Sequence, residues 1–221
     1  MTREPELLVE MVTGGPFMEN CFIVADANSR KGVIFDPGDV EDQILARVRE
    51  LDLEITEIVA THGHVDHVGA VAPLQRILGV PFAIHPADKE WLLRLPHQAM
   101  VFGLPAKETP TVDRELTPGE TIQVGDQKAA VLHTPGHSAG GCSFHFAEHK
   151  TVIVGDTLFC GSIGRTDLPG GSFDVLLESI RQQLLVLGDD VVVHCGHGPS
   201  TEIGTERRHN PFLQPGASLL F

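Results

Sequence analysis

The chain is expected to fold as a mixed α/β protein, with sheets covered by helices. Short runs rich in Val, Ile, Phe and Thr recur between Gly, Pro and Asp, the pattern of strands. Longer segments repeat apolar residues at helical spacing. The two kinds are interleaved, with hairpin-like pairs early and strand–helix–strand units later, which favours layers of sheet and helix. In order, residues 7–12, 21–25 and 32–35 read as strands, and 40–51 as a helix with Val40, Ile44, Leu45, Val48 and Leu51 on one face. A strand at 55–60, a helix at 67–78, a strand at 81–84 and a helix at 86–95 follow. Residues 96–118 have no period and read as a long loop, of the kind that is usually functional or mobile. Strands are expected at 121–124, 129–133, 142–146, 151–154 and 191–195. A helix at 173–187 has Ser172 as its N-cap and Gly188 as its stop. After Pro199 comes one short helical stretch, then Pro and Gly. No repeat or linker divides the chain, so 1–221 is read as a single domain with 199–221 as a short C-terminal extension.

Composition narrows the function. The 221 residues are 42% hydrophobic and 21% charged, ordinary for a globular chain with a real core. Sixteen basic against 30 acidic residues give a net charge of −14, which repels nucleic-acid phosphates and anionic lipid. The densest basic cluster is only the pair Arg207 and Arg208, so neither nucleic acid nor membrane is an expected partner. The opening MTREPELLVEMV lacks the basic and apolar regions of a secretory signal. No apolar run approaches the roughly 18–20 residues of a membrane span. Cys21, Cys142, Cys160 and Cys195 form no CxxC pair, which favours a reduced, cytoplasmic protein with each cysteine a small core residue. Cys195, so near His197, is the one worth watching.

The chemistry concentrates in HGHVDH at 62–67. Alternate residues of an extended stretch share a side, so His62, His64 and Asp66 can face one way, and a helix starting near Asp66 brings His67 round. Imidazole and carboxylate are the donors of zinc and similar first-row ions. Asp66 and His67 cannot both join the earlier histidines around one centre, so two ions fit better. Three more donors end apolar runs, each after a glycine: His137 in TPGH, Asp156 in VIVGD and His197 in HCGH. His133 and His194 precede their turns and read as supporting residues. His85, His97, His145, His149 and His209 read as surface or satisfied histidines.

These residues resemble the metallo-β-lactamase superfamily, whose HxHxDH motif stands here at 62–67 and whose later elements match His137, Asp156 and His197. The resemblance implies a four-layer αββα sandwich, two mixed sheets flanked by helices, with a binuclear site on one edge. It implies that His62, His64 and His137 hold one metal, that Asp66, His67 and His197 hold the other, and that Asp156 bridges. TPGHSAGG, GDTLFCGSIGRTDLPGG and GHGPSTEIGTERRHNPF are most similar to the hydroxyacylglutathione hydrolases, the type II glyoxalases, in a compact form without their separate helical substrate domain. Arg165 falls where that family places a basic residue that contacts substrate. The chain has no tyrosine, unlike the long form of that family and unlike its lactonase relatives.

The resemblance implies a metal-dependent thioester hydrolase acting on S-2-hydroxyacylglutathione compounds such as lactoylglutathione. Two divalent ions, zinc first with iron or manganese as alternatives, would turn a shared water into hydroxide near neutral pH, with Asp66 as ligand and orienting group. A thiolate with a conjugate-acid pKa of about 8.5 leaves without a strong general acid. The alternative is a mononuclear iron persulfide dioxygenase of the same superfamily, built on His62, His137 and Asp156. A non-catalytic metal-stabilised module is a third reading. The oligomeric state is not legible.

Overall fold

The computed structural model describes residues 6–214. Both ends of the expected domain, 1–5 and 215–221, lie outside the described residues. The first half builds β1 (Leu7–Gly14), β2 (Glu19–Asp26), β3 (Lys31–Phe35), β4 (Glu54–Val59), β5 (Phe82–Ile84) and β6 (Arg114–Glu115). They form one sheet in sequence order, antiparallel through β3 and parallel from there on. Between them run α1 (Glu41–Glu50), α2 (Val65–Val68), α3 (Val71–Leu78), α4 (Lys89–Leu93) and α5 (Leu95–Val101). The second half builds β7 (Thr121–Val124), β8 (Gln127–His133), β9 (Cys142–Phe146) and β10 (Thr151–Gly155), a small hairpin of β11 (Leu158–Phe159) and β12 (Ser162–Ile163), then α6 (Phe173–Ser179), β13 (Val192–Cys195), β14 (Thr201–Glu202) and α7 (Ile203–His209). The second sheet runs β14-β13-β10-β9-β8-β7.

The layering follows from side-chain alternation. On β2, Cys21 and Ile23 pack outward with Ile44, Leu45 and Val48 of α1. Phe22 and Val24 point the other way, into a cluster shared with Phe144, Phe146 and Ile153 of the second sheet. On β10, Val152 and Val154 turn outward to Leu176 and Ile180. The order is therefore helices, sheet, sheet, helices. Phe35 and Phe144 meet across the sheets with ring centroids 4.9 Å apart. Each fully buried side chain of this size stabilises the fold by roughly 1.5–3 kcal/mol.

Several elements differ from the sequence expectation. The helix expected at 67–78 is two, because the Ala70 N–H bonds Pro37 O (2.9 Å) and α3 starts afresh at Val71. The helix expected at 86–95 is a 3₁₀ turn over Pro86–Asp88 followed by α4. α5 occupies the start of the supposed loop at 96–118; Pro96 sits in its first turn, where a missing N–H costs nothing. The segment 173–187 is helical only to Leu184, ending as a π-helix over Ile180–Leu184 with Leu185 N on Ile180 O (2.8 Å). Ser172 does cap α6, accepting from Val175 N at 3.4 Å. Cys160 is exposed, against the expectation for all four cysteines; the other three are buried. Among the described residues no helix is long and apolar enough to cross a membrane.

Candidate metal centre

The parallel pairs β3/β4 and β10/β13, with β8 and β10 both antiparallel to β9, bring five strand ends to one rim. Asp36 follows β3, His62 and His64 follow β4, His137 follows β8, Asp156 follows β10 and His197 follows β13. Ligand sites of layered α/β folds commonly lie beyond the carboxyl ends of strands. Glycine is needed at 196, where a Cβ would lie 2.4 Å from Asp156 Oδ1 and 2.7 Å from His67 Cε1.

The first group is His62, His64 and His137, all buried. His137 Nε2 lies 2.9 Å from His64 Nδ1 and 3.2 Å from His62 Nε2. Corners of a tetrahedron around zinc, with bonds of about 2.0 Å, stand about 3.3 Å apart, so these nitrogens fit a cation of that size. The second group is Asp66, His67 and His197. Its Asp66 Oδ2 is 3.3 Å from His197 Nε2 and 3.8 Å from His67 Nε2. Asp156 reaches both groups, with Oδ2 3.6 Å from His137 Nε2 and 3.6 Å from His197 Nε2, and Oδ1 3.3 Å from His67 Nε2. Among the described residues, buried His67 Nε2 and Asp156 Oδ1 have no hydrogen-bond partner, a state that a cation between them relieves. The donors fit a pair of divalent ions.

Neighbours determine which ring nitrogen faces the centre. Thr61 Oγ1 donates to Asp36 Oδ2 (2.5 Å), so it accepts from His62 Nδ1 at 3.0 Å. His67 Nδ1 donates to Asp36 Oδ2 (2.9 Å), His137 Nδ1 to Arg165 O (2.8 Å) and His197 Nδ1 to Phe17 O (3.1 Å). In each ring Nδ1 holds a proton, so Nε2 is the nitrogen that faces inward. His64 is reversed, presenting Nδ1, with its ring edge against Trp91 at a centroid distance of 4.5 Å.

The electrostatics agree with these roles. Burial, then the neighbouring His67, holds His62 well below the ordinary imidazole range. Burial and His137 lower His64 to about 3. Both are neutral at physiological pH, the form that binds a metal. Burial also disfavours charge on His67, but Asp156 and Asp66 outweigh it and raise its pKa well above the ordinary value. Burial alone would raise Asp156, yet His67, His137 and His197 hold it below the usual carboxylate range. Asp66 is lowered too, its burial outweighed by His67 and His197. These carboxylates surround a position that attracts positive charge.

All seven expected ligands thus converge. The Arg165 guanidinium pairs with Asp167 through contacts of 2.8 and 2.7 Å at the surface, and its carbonyl accepts from His137 Nδ1. His194 bonds Ser200 Oγ (3.1 Å) and His133 bonds Ala139 O (3.1 Å). Sequence reasoning passed over Asp36, although FDPG ends an apolar run just as VIVGD does. It also passed over Asp88, whose oxygens accept from Gly63 N (2.9 Å) and Gly140 N (2.6 Å) and so tie the 62–64 segment to the loop bearing His137. Gln98 accepts from Val65 N at 3.1 Å. No sequence signal marked the last two.

Comparison with known proteins agrees with this geometry. A family model described as the metallo-beta-lactamase superfamily matches residues 14–197. The hydroxyacylglutathione hydrolase GloC of Haemophilus influenzae is 40% identical over 207 residues, 93% of this chain and 97% of that protein. A solved structure of TTHA1623 in a di-iron-bound form is 41% identical with a TM-score of 0.85, covering 93% of this chain and 100% of that one. The BLEG-1 B3 metallo-beta-lactamase is 34% identical with a TM-score of 0.87, covering 94% and 100%.

Proposed function

Because the chain belongs to the metallo-β-lactamase superfamily, we propose that it is a binuclear metal-dependent hydrolase of thioesters, with S-2-hydroxyacylglutathione compounds such as lactoylglutathione as its substrate class. Asp156 carries the reading, because one carboxylate oxygen stands 3.6 Å from a histidine of each donor group. Similarity to a hydroxyacylglutathione hydrolase over nearly the whole chain supports the thioester.

In this reading His62, His64 and His137 would hold one ion, Asp66, His67 and His197 would hold the other, and Asp156 would serve both. When bound, two divalent ions would supply Lewis acidity there, enough to polarise an acyl oxygen and to lower the pKa of a water from about 15.7 towards 7. The chain's own part is positional. Asp66 and His197 keep 19% and 27% of their side-chain surface exposed while His67 is fully buried, so substrate arrives over the side they form. Asp66, held as a carboxylate, accepts a hydrogen bond from the attacking water and aims its lone pair at the acyl carbon. The departing thiolate needs no strong acid, and the chain offers no tyrosine to serve as one. Nitrogen and oxygen donors suit zinc first, and the di-iron relative keeps iron in play. The proposal also treats 1–221 as one domain, supported by the apolar cluster shared between the sheets, and places it in the cytoplasm, where its free thiols are at home.

The test is metal analysis together with a lactoylglutathione hydrolysis assay and a β-lactam as control substrate. About two ions per chain with release of glutathione, lost in His64→Ala, is the expected result. Two ions without thioester turnover, or β-lactam cleavage in its place, removes the thioesterase assignment. A single iron with oxygen uptake on a persulfide replaces it with the dioxygenase.

A further inference from the structure

A cavity of about 200 Å³ lies beside the first histidine group, between α4 and the loop carrying Pro169 and Gly170. Trp91, Glu90 and Arg94 of the α4 region line one side of it. Sites that enclose a whole small molecule run to about 300–1,000 Å³, so this space suits one end of a ligand. Its position makes that end meaningful. Trp91 forms part of the wall and touches His64, with ring centroids 4.5 Å apart, so whatever sits in the cavity lies one ring away from the metal centre.

Charge identifies the end. The protein carries −14 overall and repels anions except where a local cation reverses the field. Arg94 is such a cation, and it is available. Among the described residues its guanidinium pairs with Glu90, one helical turn back, through a single contact of 3.5 Å, with both side chains exposed. An exposed pair of that kind holds its partners weakly. Arg165, by contrast, is clamped at two points by Asp167. A guanidinium and an indole lining one cavity suit a carboxylate on a short stem, which the first can grip at two points while the stem packs on the second.

We propose that this cavity receives the carboxylate-bearing end of the thiol carrier, with Trp91 packing on its stem and Arg94 exchanging Glu90 for the carboxylate. The inference rests on the thioester reading and adds to it that anionic carriers are preferred to neutral ones. Arg94, rather than Arg165, is then the side chain that selects the carrier.

Trp91 is the chain's single tryptophan, so its emission reports on the cavity directly. S-methylglutathione, which has no thioester to cleave, is titrated into the metal-loaded protein. A saturable change in emission is expected, absent with the diethyl ester of the same compound. Arg94→Gln raises the Kd by about tenfold or more, the loss of one charge-assisted contact, and Arg94→Lys restores part of the affinity. No emission change, equal binding of the ester, or an unchanged Kd in Arg94→Gln overturns the inference. Lactoylglutathione hydrolysis followed in parallel separates the two claims. Turnover without Arg94-dependent binding sinks the cavity assignment alone, whereas Arg94-dependent binding without turnover sinks the hydrolase reading and keeps the carboxylate site.

Discussion

Asp36 accepts hydrogen bonds from Thr61 N, Thr61 Oγ1 and His67 Nδ1 at 2.6, 2.5 and 2.9 Å. Through Thr61 it also fixes His62, so one buried carboxylate orients a donor of each group. Partners of this kind typically contribute 10- to 100-fold to metal affinity or activity. Asp36→Ala is therefore expected to weaken metal binding by about that factor in a chelator competition, with the fold retained; unchanged affinity would show that the rings are oriented without it. The donors at 62–67 were legible because they are adjacent, and His137, Asp156 and His197 because each ends an apolar run after glycine. Asp36 carried the same strand-end signal but stood alone, far from the other donors in sequence. Asp88 was invisible: it lies in a 3₁₀ turn with no periodicity, and its role depends on Gly63 and Gly140, which only the folded chain brings together.

At the scale of elements, what could be read from the chain tracks burial on both faces. β2 and β10 carry unbroken apolar runs, Cys21–Ala25 and Val152–Val154, because their two faces pack into different clusters, which makes them conspicuous. β6, β11, β12 and β14 are two residues each, too short to alternate. α5 buries only Leu95, Gln98 and Ala99 and includes Pro96, so its sequence looks like loop. The interlocking of the sheets has a consequence for pH. His194 of β13 lies 5.2 Å from the ring of Phe22 on β2, and burial lowers its pKa from 6.5 to about 4. Between those values the unfolded chain holds a proton that the folded chain lacks. Its contribution is therefore complete above pH of about 6.5 and declines as the pH falls towards 4, by up to about 1.4 kcal/mol per unit. Urea unfolding from neutral pH down to about 4.5 should show a shallower acid decline for His194→Gln than for the parent. Parallel curves would assign the decline to other groups.

Over the whole molecule, the centre sits where the sheets meet. His62, His64, Asp66 and His67 come from the first half of the chain, His137, Asp156 and His197 from the second. Ions held by donors from both halves bind the folded state and not the unfolded one, and stabilise it by mass action. At metal concentrations of about a thousand times Kd the gain is roughly 4 kcal/mol, on the order of 10 °C in Tm for a chain of this size. Stripping the metal with a chelator should lower Tm by about that amount, and returning it should restore the loss. An unchanged Tm after verified removal would mean that the halves are held together without it.

The convergence of seven side chains on two adjoining cation positions is most directly tested by counting ions. Metal-free protein is titrated with zinc and its bound content measured by mass spectrometry, alongside Asp156→Ala. About two ions per parent chain are expected, with the variant retaining fewer and binding them more weakly. A parent that saturates at one ion, or a variant that binds two as tightly as the parent, would contradict the shared centre.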